Sequence, residues 1–325
     1  MDSGSTSDLI FYCIFLIFLS FSISLIIIPY VKKIGKKFDF LDNVNSRNLN
    51  NQSVVRIGGL GIFLGYAVAL IFIFQISFLN NVYLIPLFVG SFMMFLLGIT
   101  DDLIQLSPYL RLVFQILIAT YVISSGIVIE NIDLTYFGIN NMIINLPWIL
   151  SYLITIFWLV GITNAVNWID GLDGLASSIT AISTLGIVFL SLMFGNIEST
   201  FFACAILGAN LGFLKYNLRP ASIYMGDGGS YLIGFILASL SITANLNSSQ
   251  ALAPHFPLII LLLPITDMCM VIFKRIFSGK SPFFPDKNHI HHRLLASGLS
   301  ELKVFNLLSF INFFMIILAL FSFKN

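Results

Sequence analysis

The stretch LIFYCIFLIFLSFSISLIIIPYV, residues 9–31, contains no charged side chain. A helix needs about 20 consecutive apolar residues to cross the hydrocarbon layer of a membrane, so this stretch predicts a transmembrane helix. The segment before it, MDSGSTSD, has no Lys or Arg. Because a secretory signal peptide begins with a basic region, we expect residues 9–31 to be retained as the first membrane-spanning helix.

The rest of the chain has the same apolar character. Of its 325 residues, 58% are hydrophobic and 10% are charged, whereas soluble domains average about 25% charged residues. This composition excludes an ordinary soluble enzyme. It predicts an all-α, polytopic integral membrane protein folded as a single transmembrane bundle over residues 1–325. Each of the three cysteines lies in an apolar run, which argues against a disulfide framework or a zinc site.

Ten apolar stretches are candidates for membrane spans. By residue number they are 9–31, 57–78, 82–99, 109–128, 142–162, 175–194, 201–214, 231–244, 256–273 and 304–323. The seventh and eighth are short for a span, although flanking small and aromatic residues would extend them. Between the fourth and fifth stretches, IENIDLTYFGINN alternates strand-favouring and turn-favouring residues and predicts a small hairpin.

The distribution of basic residues predicts the orientation. The chain has 16 Lys and Arg residues. If the N-terminus lies outside, all of them except Lys324 fall on the inner side of the ten spans. Because basic residues favour the cytoplasmic side, we expect both termini outside and the polar motifs in the cytoplasm. A miscounted span would reverse all later loops and destroy this agreement. The same basic residues would attract anionic membrane lipids.

One inner motif is TDDLIQLSPYLR, residues 100–111. The adjacent Asp101 and Asp102 have two interpretations of about equal weight. They are either loop acids that cap the helix that Pro108 helps to start, or ligands of Mg²⁺, which proteins bind through one or two carboxylates while substrate phosphates complete the shell.

The motif NAVNWIDGLDGLA, residues 164–176, is more specific. Asn164, Asn167, Asp170 and Asp173 recur every three residues, so neighbouring members share a helix face. The alternative is an interfacial loop in which Asp caps the next helix. Because Asn and Asp are costly beside spanning segments, a functional role is favoured.

Glycine-rich segments lie at the start of two predicted spans. YMGDGGS, residues 224–230, places Asp227 among three glycines. Glycine allows backbone to approach a ligand closely, and the N–H groups at a helix N-terminus suit phosphate. Asp227 is therefore a candidate metal ligand beside a phosphate. RIGGLGIF, residues 56–63, is similar but weaker by itself, because glycine also serves helix packing in membranes.

The last inner motif is HIHHR, residues 289–293. It lacks the i, i+4 histidine pair of a helical zinc site, and its basic character suits a polyanion better. Asp267 is different, because it lies inside the ninth predicted span. It is either a functional acid or a residue that bonds within the bundle and orients a neighbour.

Together these motifs resemble the polyprenyl-phosphate N-acetylhexosamine-1-phosphate transferases, glycosyltransferase family 4. The resemblance extends from RIGGLGIF through GITDDLIQLSPYLRL, NAVNWIDGLDGLA and FLKYNLRPASIYMGDGGS to SPFFPDKNHIHHRLLASGL. It implies transfer of a sugar 1-phosphate from a UDP-N-acetylhexosamine to undecaprenyl phosphate, with release of UMP. Mg²⁺ would be the cofactor, with Mn²⁺ as an alternative. It also implies a multi-pass protein of the bacterial inner membrane and no nucleic-acid partner, with a homodimer as one arrangement.

The resemblance also implies roles for individual residues. The expected catalytic set is Asp101, Asp102, Asp170, Asp173 and Asp227, with Asp102 and Asp227 as metal ligands. The expected substrate-binding set is Asn164, Asn167, His289, His291, His292, Arg293, Arg56 and Arg111.

Two alternatives remain at this level. HIHHR is similar to the branch that uses UDP-GlcNAc or a related UDP-sugar, whereas the branch that makes phospho-N-acetylmuramoyl-pentapeptide lipids carries consecutive histidines. A membrane transporter is the more remote alternative. Transporters place polar residues near the middle of the membrane, whereas here nearly all of them fall on one side.

Overall fold

The structure, a computed structural model, describes residues 6–42, 53–75, 83–135, 142–246, 251–281 and 288–322. Within these ranges the chain is predominantly helical, as the composition predicts. The helices are α1 (Thr6–Lys37), α2 (Gly59–Gln75), α3 (Leu84–Ile104), α4 (Pro108–Ser124), α5 (Trp148–Ile169), α6 (Leu175–Phe194), α7 (Ile197–Asn217), α8 (Gly226–Thr243), α9 (His255–Ile260), α10 (Leu262–Phe277), α11 (Ile290–Ala296) and α12 (Glu301–Phe321). The strands are β1 (Leu41–Asp42), β2 (Val54–Val55), β3 (Asn131–Asp133), β4 (Ile143–Asn145) and β5 (Ala251–Leu252).

Six helices in the described ranges, α1, α3, α5, α6, α7 and α12, are long and apolar enough to cross a membrane. The helices α2 and α4 are apolar but shorter. The chain is therefore a multi-pass, helical membrane protein. The number ten for the spans stays a prediction, although each of the ten apolar stretches contains helix.

The ninth stretch was expected to form one helix over residues 256–273, and this expectation is wrong. The structure divides it into α9 and α10 at Leu261. The break has a local cause, because Pro264 has no N–H to donate to the carbonyl of Ile260 one turn earlier. A new helix starts on the other side of the break, where Ile265 donates its N–H to the carbonyl of Leu261.

Close helix packing fixes the positions of the central helices. A side chain at Gly208 or Gly212 of α7 would overlap the backbone carbonyls of Ile17 or Phe21 on α1. Small residues four apart let two helices approach closely in a membrane. The helix α8 is surrounded by the others, and every residue from Gly228 to Ile242 in it is buried. The site that follows is built at the first turn of this buried helix.

Helix ends converge at one end of the bundle, which we call the site end. There α3 and α5 terminate and α2, α4 and α8 begin, as contacts among their terminal residues show. For example, Gly59 at the start of α2 donates its N–H to the carbonyl of Met225 just before α8. The loop after α7 and the start of α12 also lie there, joined by an ion pair of 2.9 Å between Arg219 and Glu301.

A small sheet follows the far end of α4. The strands β3 and β4 pair antiparallel, with Ile132 opposite Ile144. The predicted hairpin stretch supplies β3, but β4 lies just beyond it, in residues expected to begin the fifth span, and α5 starts only at Trp148. Residues 136–141 between the two strands lie outside the described part of the chain. The strand β5 adds a parallel partner to β3, which the sequence did not predict.

Candidate active site

Asp102 links the end of α3 to the start of α8. Its Oδ1 accepts the backbone N–H of Asp227 and its Oδ2 accepts that of Gly228, both at 3.0 Å. Arg56, which precedes α2, donates from Nε to Asp102 Oδ1 at 3.0 Å and lies 3.4 Å from Asp227 Oδ2. Asp102 thus satisfies free amides at the N-terminus of α8, a role usually filled by a residue adjacent in sequence.

Gly226 allows this approach. Its φ of +71° lies in the left-handed region, and a Cβ there would overlap the carbonyl of Arg56 and the Asp102 carboxylate. Only glycine meets both demands without strain. The glycine-rich stretch at the start of α8 therefore lets three chain segments meet: the start of α8, the end of α3 with Asp102, and the segment with Arg56. This packing role is separate from any contact with a ligand.

Asp101 points to a different set of partners. Its Oδ2 accepts from Arg111 Nη1 at 2.8 Å and from the Tyr231 hydroxyl at 3.3 Å. Its Oδ1 accepts the backbone N–H of Leu106 at 2.8 Å. Asp101 is buried, so the Arg111 guanidinium compensates its charge. Asp101 and Asp102 are adjacent in sequence but support two separate sides of the site.

The two predicted asparagines lie on α5. Asn167 Nδ2 donates to Asp227 Oδ1 at 2.8 Å and to Ser230 Oγ at 2.9 Å. One turn earlier, Asn164 Nδ2 donates to Gln115 Oε1 of α4 at 2.7 Å. Asn164 and Asn167 lie one turn apart on α5, as their spacing predicts, and Asn167 faces the start of α8. The helix ends at Ile169, so Asp170 and Asp173 do not continue this face.

The loop after α5 carries Asp170 and Asp173. Asp173 Oδ2 accepts the backbone N–H of Ala221 at 2.9 Å. Burial raises the pKa of the Asp170 carboxyl to about 7, and the negative charges of Asp227 and Asp173 add to the shift against the opposing charge of Arg56. Burial likewise raises the pKa of Asp227, again opposed by Arg56. Around Asp170, the negative charge of the carboxylates therefore exceeds the positive charge of the described cations.

The histidine segment packs against this loop. The His291 ring lies on Gly171, where a Cβ would overlap Nε2 of the ring. His291 is 1% exposed, and burial, together with neighbouring His292 and His289, lowers its pKa to about 3. It is therefore neutral at physiological pH. The His289 ring is parallel to His291 at a centroid distance of 5.8 Å, and the His292 ring lies 4.3 Å from His291.

The structure brings together most of the predicted residues, with one outlier. One contact group contains Arg56, Asp102, Asn167, Asp227 and Ser230. A second contains Asp101, Arg111 and Tyr231, and the Asp170 and histidine segments lie next to each other through Gly171 and His291. Arg293 is exposed and its guanidinium contacts the sulfur of Met270 on α10. No described contact connects it to the carboxylates.

Sequence reasoning missed Tyr231 and Ser230 of the site, and also Arg275 and Trp168. The Arg275 guanidinium lies over the Trp168 ring, 4.9 Å from its centroid, and the same ring meets His289 edge-to-face at 5.8 Å. Arg275 is 4% exposed, so a stacked aromatic partner stabilises its buried charge. A tryptophan between the Asn and Asp of NAVNWID was the available signal.

An apolar groove of about 810 Å³ runs between α4, α5 and α10 to the site end. Its apolar walls include Ile116, Leu153, Ile156, Phe157 and Phe273, and its polar end includes Arg111, Asn164, Asn167, Arg275 and His289. From Leu153 to Asn167 the groove follows α5 for about 21 Å at 1.5 Å per residue. It is a long apolar channel that ends at cationic and amide side chains.

The residues at the site end suit a cation shared with a substrate. Within the described ranges, no three His, Cys, Asp or Glu side chains are grouped to hold a metal by themselves. Mg²⁺ in phosphate-transferring sites needs only one or two carboxylates, because phosphates and water supply the other ligands. Both oxygens of Asp102 already accept backbone N–H groups. The Asp170 carboxylate, unlike those of Asp102 and Asp227, accepts no hydrogen bond from any described residue. It therefore has the most open coordination sites, and its negative charge is close enough to that of Asp227 to raise its pKa.

Comparison with known proteins adds independent information. The model of glycosyl transferase family 4 matches residues 84–245, a range that contains all five predicted catalytic aspartates. A probable undecaprenyl-phosphate N-acetylglucosaminyl 1-phosphate transferase of Bacillus subtilis is 34% identical over 277 residues, which cover 85% of this chain and 75% of that protein.

Two further relatives come from other groups of bacteria. An undecaprenyl-phosphate alpha-N-acetylglucosaminyl 1-phosphate transferase of Haemophilus influenzae is 31% identical over 307 residues, 92% of this chain and 83% of the relative. A decaprenyl-phosphate N-acetylglucosaminephosphotransferase of Mycolicibacterium smegmatis is 30% identical over 296 residues, 84% of this chain and 72% of the relative.

Proposed function

This chain belongs to glycosyl transferase family 4, and we propose that it transfers N-acetylglucosamine 1-phosphate from UDP-N-acetylglucosamine to a polyprenyl phosphate such as undecaprenyl phosphate, releasing UMP. The names of its relatives support this reaction. It is the first membrane step in building a cell-surface polysaccharide. The observation that carries the proposal is the apolar groove that ends at Arg111, Asn167, Arg275 and His289 beside the aspartate cluster.

The groove is assigned to the polyprenyl acceptor. Its walls are apolar along α5 and become cationic at the site end, which matches a lipid whose one charged group is a terminal phosphate. Arg111 is held by Asp101 at 2.8 Å and Arg275 by the Trp168 ring. Both guanidiniums are therefore preorganised, and such groups suit phosphate oxygens better than mobile lysines do.

The loops after α5 and α7 are assigned to the nucleotide sugar, together with His291 and His292 of the histidine segment. Asp170, Asp173 and Gly171 come from the first loop, and His291 packs on it. A donor bound there would place its diphosphate beside Asp227 and next to the acceptor phosphate.

Asp170 and Asp227 are assigned to hold Mg²⁺. When bound, the ion would neutralise charge on the diphosphate so that a second phosphate can approach it. Asn167 and Arg56 orient the Asp227 carboxylate from two sides, at 2.8 and 3.4 Å. Asp102 holds the backbone that carries Asp227. That Asp102 also binds the metal stays a prediction. The hydrogen bonds that both its oxygens already accept give this prediction no support.

The chemical step requires little from a base. A phosphate monoester is mostly dianionic at pH 7, because its second pKa is about 6, so the acceptor oxygen can attack the β-phosphorus of the donor directly. The bond from that phosphorus to the UMP oxygen breaks, and UMP leaves. Arg111, Arg275 and His289 position the acceptor, and positioning with charge neutralisation supplies most of the catalysis in phosphoryl transfer.

We also propose that the protein lies in a bacterial plasma membrane with its site end facing the cytoplasm. Helix ends and loops at that end carry the basic residues, including Lys36 and Lys37 at the end of α1. Cysteine labelling from either side of sealed vesicles tests this orientation, with cysteines placed at Ser297 and at Ser125, which lie at opposite ends of the bundle.

The reaction is tested with purified protein in lipid nanodiscs, undecaprenyl phosphate and radiolabelled UDP-sugars. We expect label from UDP-GlcNAc to enter the lipid with one UMP released per transfer, only when Mg²⁺ or Mn²⁺ is present. Transfer from UDP-MurNAc-pentapeptide in its place would assign the chain to the other branch. A folded protein that transfers from neither donor would refute the proposal.

A further inference from the structure

Asp267 of α10 binds two groups of the histidine segment at once. Its Oδ2 lies 2.8 Å from His289 Nδ1, and its Oδ1 accepts the backbone N–H of Ile290 at 2.6 Å. The carboxylate is 2% exposed. An acid buried this deeply is costly unless partners satisfy it, and here both oxygens have one. Asp267 therefore fixes the ring of His289 and the first turn of α11 together.

The remaining surroundings of His289 leave its ring little freedom. The Trp168 ring meets it edge-to-face and the His291 ring lies parallel to it, each at 5.8 Å. The side chain is 10% exposed and forms part of the polar end of the groove with Asn167 and Arg275. The ring is thus held at the place where the acceptor phosphate would bind.

We infer that Asp267 is a positioning residue, which holds the proton of His289 on Nδ1 so that Nε2 faces the phosphoryl group bound at the polar end of the groove. This inference rests on the function proposed above. A carboxylate accepts hydrogen bonds and donates none, so the ring nitrogen beside it carries the proton. A carboxylate that orients a histidine in this way fixes both its tautomer and its direction.

Replacing Asp267 by Asn separates this role from simple packing. The N–H of Ile290 needs an acceptor, so the oxygen of the new amide stays on that side. The NH₂ group then faces His289 Nδ1, which must become an acceptor. The proton moves to Nε2, and the tautomer is inverted while the shape of the side chain is kept. A packing role predicts no such inversion.

The inversion is measurable, because the chain has four histidines. Solid-state ¹⁵N spectra of histidine-labelled protein in nanodiscs are recorded without substrate for the wild type, Asp267→Asn and His289→Asn, which assigns the His289 signals by their loss. We expect a protonated Nδ1 in the wild type and a protonated Nε2 in Asp267→Asn. The same Nδ1 signal in both proteins would overturn the inference.

Kinetics supply the second readout. We expect Asp267→Asn to lower kcat of the folded protein about 10–100-fold, as for carboxylates that orient metal-bound histidines, with KM for the UDP-sugar changed less than about threefold. His289→Asn keeps an N–H donor for Asp267 but removes Nε2. Because Asp267 acts through His289, the double variant should match His289→Asn alone within about threefold. Losses that multiply would mean that Asp267 acts independently of the ring.

Asp133→Asn is the matched control, because Asp133 is also a buried acid but lies in β3 beyond the far end of α4. Its replacement should leave kcat and the His289 signals unchanged. A wild-type kcat in Asp267→Asn would refute this inference but not the proposed function. Failure of the folded wild type to transfer sugar phosphate would instead refute the proposed function, and the ¹⁵N spectra would still test the tautomer.

Discussion

The carboxylate of Asp102 accepts the backbone N–H of Asp227, a residue 125 positions later in the chain, at 3.0 Å. The same carboxylate accepts the N–H of Gly228, so a side chain at the end of α3 caps α8. The Asp227 carboxylate, held in turn by Asn167 and Arg56, depends on this cap for its position. Asp102 and Asp227 are therefore one structural unit with different tasks.

Replacing Asp102 by Ala tests this division of tasks. The variant leaves two amides of α8 without their acceptor, which should cost about 1–2 kcal/mol of stability. It should also lower kcat at least tenfold by displacing Asp227. Thermal unfolding and UMP release measure the two effects. Ser107→Ala, which removes the ordinary cap of α4 on Leu110, should lose stability but retain kcat. Wild-type kcat in Asp102→Ala would contradict the account.

Gly171→Ala tests the contact between the loop after α5 and the histidine segment. The new methyl overlaps His291 Nε2, so His291 must move, and we expect a lower kcat from an enzyme that remains folded. If the clash is the whole effect, the double variant Gly171→Ala with His291→Ala should match His291→Ala alone. A double variant much worse than either single one would show that Gly171 matters for another reason.

The groove is tested at Gly161, where an added Cβ would meet, among the described residues, only Met268 Cε at 3.8 Å. Gly161→Leu should fill part of the channel and raise KM for undecaprenyl phosphate about tenfold, while KM for the UDP-sugar stays within about twofold. Gly161→Ala is the control, because a single methyl fits. An unchanged KM for the long-chain acceptor in Gly161→Leu would assign the lipid to another surface.

Mg²⁺ dependence should vary with pH through Asp170. Its pKa of about 7 in the metal-free protein means that a proton competes with the ion below pH 7, whereas above pH 7 the carboxylate is free. The half-saturating Mg²⁺ concentration should therefore be about tenfold higher at pH 6 than at pH 8. Asp170→Asn should bind Mg²⁺ weakly at both pH values, without this slope. The same slope in the variant would assign the titration to a substrate phosphate.

Much of the fold follows from the sequence, because a segment in lipid must satisfy its backbone hydrogen bonds internally and so forms a helix. Each apolar stretch predicted such a segment, and the period of three in NAVNWID placed Asn164 and Asn167 on one face. The break at Leu261 was also readable from Pro264. The strand β5 could not be predicted from the sequence, because its pairing with β3 joins residues far apart in the chain.

The sequence predicted which residues lie at the site better than it predicted the role of each residue. A cap was one interpretation of the aspartate pair, but Ser107 caps the next helix and Asp102 caps α8 instead. Which amide an acid accepts depends on how helices cross, and spacing along the chain does not contain that information. For the same reason, the pairing of Asp267 with His289 appears only when α10 and α11 are seen together.

The most direct test follows the β-phosphate of the donor. UDP-GlcNAc labelled with ³²P at that position is given to wild type and to Asp227→Asn in nanodiscs with undecaprenyl phosphate and Mg²⁺. We expect the wild type to move the label into lipid in one step, with unlabelled UMP and no labelled protein. We expect Asp227→Asn, although folded, to lose at least about 10³-fold in rate. Label trapped on the protein, or near-normal transfer by Asp227→Asn, would contradict the proposed mechanism.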